Sequence, residues 1–146
     1  MKKLFIILLV TVVASCDLTF EPKRDIITST IPPTSNTDYE NIIGRPIKLD
    51  NLEVAQHDFP KSMNWDDAKA ACAKLGEGWR LPTKDELNLL YQNKDKIGGF
   101  ASSYYWSSTE SNDNGVWKQY FYNGLQVINY SYSKYTKFIV RAVRAF

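Results

Sequence analysis

The 146-residue chain is poor in the residues from which many active sites are built: it has one histidine, His57, and two cysteines, Cys16 and Cys72. That inventory excludes a zinc site assembled from His and Cys, and a Cys/His nucleophile pair. Charge of one sign is also scarce. Eighteen Lys+Arg against 16 Asp+Glu leave a formal net charge of +2, and Lys2 and Lys3, ahead of an apolar run, account for it. Without them the balance is zero, which excludes a nucleic-acid binder that must displace counterions from phosphates. Long apolar runs are missing too. Leu4–Ala14, broken only by Thr11, would cover about 16 Å as a helix, roughly half a hydrocarbon core. What is present in quantity is aromatic: 14% of the residues, with nine Tyr, seven Phe and four Trp, which excludes disorder throughout. The length allows one domain of ordinary size.

The first residues combine two lysines, the short apolar run and Val13-Ala14-Ser15-Cys16. A run of this length after a positive segment suits a signal peptide, and its end resembles the bacterial lipobox. The resemblance implies cleavage before Cys16, lipidation of its thiol and residence in the bacterial cell envelope, with the outer membrane or surface favoured and the leaflet open. The alternative is an ordinary signal cut near Ala14, with Cys16 an incidental thiol. Stable attachment requires more than one acyl chain, which a multiply acylated Cys16 (palmitate among its chains) supplies. From Asp17 to about Gly44 the chain is polar, centred on Ser29-Thr30-Ile31-Pro32-Pro33-Thr34-Ser35-Asn36-Thr37. Paired prolines fit neither a helix interior nor a central strand, so this reads as a tether spanning about 25–30 Å as a flexible coil. The expected division is residues 1–15 as signal, 16–45 as lipidated Cys and tether, and 46–146 as the domain.

Within the domain, Leu52–Gln56 has the character of a strand. Asn64-Trp65-Asp66-Asp67 predicts a helix N-terminus, with Asn64 as cap and two carboxylates on the dipole. Trp65, Ala68, Ala71, Cys72 and Leu75 share one helical face, and Gly76 stops it. Thr83 and Glu86 have capping-box spacing ahead of a second helix that turns Leu87, Leu90 and Tyr91 inward; Gly98-Gly99 marks its end or a loop beyond. The period then changes. Ser103–Thr109 is a strand candidate, Glu110–Gly115 a polar loop, and Val116–Tyr122 and Leu125–Tyr130 flank Asn123-Gly124, the pair favoured in a two-residue type I′ hairpin. Phe138–Val143 closes as a β-type run. Two helices followed by antiparallel strands, without βαβ alternation, define an α+β fold.

Taken in order, the motifs Trp65-Asp66-Asp67-Ala68, Cys72, Gly78-Trp79-Arg80-Leu81-Pro82-Thr83, Tyr105-Trp106-Ser107-Ser108-Thr109 and Val140-Arg141-Ala142-Val143-Arg144 resemble the Lcl C-terminal domain family, over essentially all of residues 52–146. The resemblance implies a C-type-lectin-like fold: two helices packed on antiparallel strands, with a long loop region at the ligand site. Many members are envelope proteins without an assigned activity, and some are implicated in adhesion to glycans. Members often carry a second Cys in the last strand, as Arg-Cys-Val-Arg; this chain has Ala142 there, so Cys72 loses that partner and the domain forgoes about 2–4 kcal/mol.

The candidate sites divide unevenly. Cys72 on an apolar face reads as a small core residue rather than a redox thiol. Trp65, Trp79, Trp106 and Trp117 read as core aromatics before ligand platforms, and Arg80 as a structural hydrogen-bond donor within its motif. His57 reads as solvated. The pairs Asp66/Asp67 and Asp85/Glu86 are explained by helix dipoles, without acid/base chemistry. Glu110 and Asp113 are weak calcium candidates in what reads first as a polar turn. Gly115–Phe146 holds five basic residues and no acidic one, against 11 basic and 16 acidic in residues 16–114. There Tyr130, Tyr132, Lys134 and Tyr135 form the preferred ligand surface, since tyrosine offers rigid amphipathic contact and lysine attracts anionic groups. No cofactor, catalytic residue or nucleic-acid partner is expected. The favoured reading is a lipid-anchored binding or adhesion module for a glycan or protein, ahead of a structural envelope protein, with an enzyme last because no nucleophile–base–orienter set is present.

Overall fold

The structure, a computed structural model, describes residues 36–111, 114–130 and 135–146. The expected signal, lipid attachment at Cys16 and tether up to residue 35 lie outside the described residues, as do Asp113, Tyr132 and Lys134. No helix among the described residues is long and apolar enough to cross a membrane.

The last part of the segment expected to be tether, which ran to about Gly44, is folded. Asn36–Ile43 form a helix, α1. Ile42 is buried, with Tyr39 and Ile43 beside it against the main core. Tyr39, Ile42 and Ile43 stand at three- and four-residue spacing, enough for an apolar stripe on two turns. Gly44, at φ +54°, ends α1 by donating its N–H to the Glu40 carbonyl at 2.8 Å. Strands β1 (Ile47–Leu49) and β2 (Leu52–Val54) then pair antiparallel. The strand expected over Leu52–Gln56 thus ends two residues early, although the Ala55 N–H still reaches the Ala142 carbonyl at 3.0 Å.

Helix α2 (Trp65–Lys74) begins where expected, the Asn64 side chain accepting from the Asp67 N–H, and buries Ala68, Ala71 and Cys72. Helix α3 (Lys84–Gln92) has the full capping box between Thr83 and Glu86 and buries Leu87 and Leu90. A short helix not foreseen, α4 (Lys94–Ile97), follows before Gly98 and buries Ile97. There are therefore four helices among the described residues where two were expected, because α1 and α4 are each two turns or less and carry few apolar residues.

Strands β3 (Tyr104–Ser111), β4 (Gly115–Tyr120) and β5 (Gln126–Tyr130) form a second antiparallel sheet in the order β3-β4-β5. The polar loop expected over Glu110–Gly115 is shorter, since Glu110 pairs with Val116 and Ser111 with Gly115. The β4–β5 hairpin exists but not as a type I′ turn. Gly124 has φ +81° and Asn123 does not share a positive φ; the Gly124 N–H donates to the Tyr120 carbonyl at 2.7 Å and the Tyr120 N–H to Leu125 at 2.9 Å, leaving four residues in the loop. The cause is Phe121. Its ring is buried against Tyr91, Phe100 and Tyr105, so the chain dips into the core before it turns.

The run Phe138–Val143 is not a continuous strand. Phe138 bridges to Met63, Ile139 to Tyr105 and Val143 to Arg80, and only Val143–Ala145 form a ladder strand, β6, on β2. This segment joins the two sheets, and its side chains alternate as extended backbone requires. Val140 and Ala142 enter a core of Phe59, Cys72, Trp79, Leu81 and Trp106. Ile139 and Val143 face a second core of Leu87, Leu90, Tyr105 and Phe121. Between them Arg141 is fully buried. Its Nε donates to Asp58 Oδ1 at 2.6 Å, Nη1 to the carbonyls of Ala55 and Gln56 at 3.1 Å each, and Nη2 to Gly99 at 2.8 Å. Asp58 Oδ2 in turn accepts from the Tyr105 hydroxyl at 2.7 Å, which accepts from the Ala101 N–H.

Candidate binding surface

The residues singled out inside the motifs hold the fold. Trp65 Nε1 donates to the Ser107 carbonyl and Trp106 Nε1 to Met63, both at 2.8 Å. Trp79 is buried under the Arg144 guanidinium, 4.9 Å from its ring. Trp117 is half-buried, with Lys84 Nζ 3.6 Å above its ring. Arg80 makes a two-pronged pair with Glu86, at 2.7 and 2.8 Å, and Glu86 also accepts the Thr83 N–H. Arg80 thus holds the capping box shut, and this hydrogen-bonded cation holds the Glu86 carboxyl below its ordinary range. Cys72 is buried, and burial pushes its thiol up to about 12. His57 is exposed.

Of the two surface candidates from the sequence, Glu110 and Tyr130 lie toward one end of the β3-β4-β5 sheet. Gly115 pairs with both Ser111 and Tyr130, which therefore sit on either side of it. Glu110 is exposed within β3, and no group of three His, Cys, Asp or Glu suited to a metal ion occurs among the described residues. Tyr135 is 90% exposed and Tyr130 is exposed to a lesser degree.

A second aromatic group lies at the other end of the same sheet, and the sequence reading passed over it. Lys118, Tyr120 and Tyr122 alternate along β4 and its loop, opposite in phase to the inward Gln119 and Phe121. Tyr104 stacks on Tyr120 at 4.6 Å between centroids, and Tyr122 follows at 5.9 Å, 68% exposed. Lys118 Nζ lies 4.5 Å from the Tyr104 ring centre and 4.2 Å from that of Phe138, and 3.3 Å from Asn129 Oδ1. Partial burial lowers the Lys118 pKa from its ordinary value. The opposite face of the sheet is occupied by α3, where Gln119 Nε2 donates to Asn88 at 3.0 Å and Gln126 Nε2 to the Lys84 carbonyl at 2.8 Å. The period-2 run Lys118/Tyr120/Tyr122 was the available signal, but it has the same pattern as an ordinary half-buried strand.

Over residues 45–144 the chain matches the family model described as the Lcl C-terminal domain. No curated protein matches it.

Proposed function

We propose that this chain, which belongs to the Lcl C-terminal domain family, is a lipid-anchored envelope protein whose C-type-lectin-like domain binds a glycan, with a protein surface as the alternative ligand, and catalyses no reaction. The anchor rests on Val13-Ala14-Ser15-Cys16. The observation that supports binding is the outer face of the β3-β4-β5 sheet, where Tyr104, Tyr120 and Tyr122 form a row beside Lys118 and Asn129. Flat rings cover the apolar face of a sugar at low entropy cost, and the amine and amide at their edge meet its hydroxyls. Tyr130 follows Asn129 along β5 and so turns to the other face of the sheet, and it and Tyr135 are exposed as a separate candidate contact.

A glycan array probed with the purified chain tests this, with and without calcium. Binding that falls tenfold or more in Tyr120→Ala/Tyr122→Ala places the ligand on the aromatic row. A fall confined to Tyr130→Ala/Tyr135→Ala moves it to the far end. Absence of any glycan binding, together with co-purification of an envelope protein, establishes the structural reading instead.

A further inference from the structure

We infer that the sugar held on the Tyr104/Tyr120/Tyr122 row carries an N-acetyl group, its carbonyl oxygen taken by Lys118 and Asn129 and its methyl laid on the neighbouring rings. This rests on the glycan reading above and narrows it to acetamido sugars. Lys118 and Asn129 share the outer face of the sheet, since Lys118 stands opposite Val127 and Asn129 follows two positions later on β5. Lys118 Nζ donates to Asn129 Oδ1 at 3.3 Å. A lysine can only donate, so this contact fixes which end of the Asn129 amide faces it and turns Nδ2 away. Nδ2 meets no acceptor among the described residues, where no buried polar side-chain atom goes unpaired, so it reaches solvent. No carboxylate among the described residues lies within ion-pair distance of Lys118. Its charge rests instead on the faces of Tyr104 and Phe138.

The edge of the row thus presents N–H donors from two side chains, and the one acceptor atom of the pair, Asn129 Oδ1, is occupied by Lys118. That asymmetry selects a substituent. A hydroxyl facing such an edge uses its lone pairs and finds no partner there for its own hydrogen. A carbonyl oxygen only accepts, so nothing is left over. A carboxylate also only accepts, but it has no apolar part, and the ring faces beside Lys118 are negative and repel it. The acetamido group joins an acceptor-only oxygen to a methyl, and a ring face beside a donor edge takes both. Tyr120 stacks on Tyr104, and Tyr122, 68% exposed, continues the row into solvent.

Calorimetric titration of the full chain with matched tetrasaccharides tests this. Chitotetraose is fully N-acetylated, cellotetraose has the same rings and linkage with a hydroxyl in place of the acetamido group, and the galacturonic acid tetramer is anionic. Chitotetraose should bind at least tenfold more tightly than either of the others, and the glycans bound on an array should share an N-acetyl group. Asn129→Asp keeps an oxygen toward Lys118 but replaces the outward N–H donors with an oxygen that repels the carbonyl. It should remove the preference for chitotetraose, leave cellotetraose binding unchanged and keep the circular dichroism of the parent. Equal affinity for chitotetraose and cellotetraose, both lost in Tyr120→Ala/Tyr122→Ala, overturns the N-acetyl assignment and leaves the glycan reading standing. Tighter binding of the galacturonic acid tetramer, array hits without a common N-acetyl group, or a preference that survives Asn129→Asp overturns it too. If no tetramer and no array glycan binds, the glycan reading itself fails and this inference falls with it.

Discussion

A guanidinium shut away from water must find its partners within the protein, and Arg141 does so through Asp58, Ala55, Gln56 and Gly99. Gly99 accepts at φ +72°, and a Cβ there would lie 3.4 Å from Arg141 Nη2, so the carbonyl and the guanidinium fit only closely. Removing one member of a buried pair strands the other in a low dielectric, at a cost of about 3–5 kcal/mol. Arg141→Ala should lose that much in urea unfolding, and Arg141→Ala/Asp58→Asn should lose less than the sum of the single changes. None of this was legible in the sequence, because Arg141 and Asp58 lie 83 positions apart and neither stands in a pattern that names the other. Cys72 was legible, since its place on the Ala68/Ala71/Leu75 stripe already put it inside. With its thiol pushed up to about 12 by burial, it should resist labelling at pH 8 and react at the unfolding rate. The same shift makes stability fall as pH rises from about 9, where the unfolded thiol ionises and the folded one keeps its proton; Cys72→Ala should flatten that slope.

Among the elements, those with a local chemical signature were legible. α2 begins at Asn64 and α3 at Thr83 because each cap is satisfied by residues three positions on. The Arg80 side chain reinforces the second cap from outside the helix. Glu86 is held below its ordinary range by Arg80, so its contribution is present above the usual carboxylate range and lost as pH falls through the lowered folded value. Glu86→Gln should lower stability at pH 7 and remove part of the acid limb in a urea–pH series. α1 was not legible: Ser/Thr/Pro composition dominates its surroundings, and its apolar stripe acquires meaning only when the core stands opposite. Ile42→Ala should cost about 2–5 kcal/mol as a core truncation, whereas an inert tether residue would cost nothing. The hairpin turn was misread for a related reason. Asn123-Gly124 satisfies a local rule, but the burial of Phe121 determines the path.

At the scale of the whole molecule, α+β class and the order of α2 and α3 before β3, β4 and β5 followed from periodicity, and the family match covers the same span. The division into two cores did not follow, because it depends on one extended segment sending alternate side chains to opposite sides. The candidate surface was half legible. Tyr130 and Tyr135 were candidates through composition and are exposed, whereas Tyr104 and Tyr120 come together only through strand register. Since Val140 and Ala142 serve one core and Ile139 and Val143 the other, the two should unfold together. Ala142→Asp should abolish slow hydrogen exchange in α3 as well as in α2; loss confined to α2 would show that the cores are separable.

Every closing contact of that seam is made by residues C-terminal to the helices and to the β3-β4-β5 sheet. A chain emerging from a ribosome therefore reaches residue 138 with the groove between its two cores still open. The domain cannot lock until Phe138–Ala145 has been delivered. Under the proposed export through a translocon, late closure would keep the chain slack during the passage, and the step that completes the fold would come after the export machinery has let go.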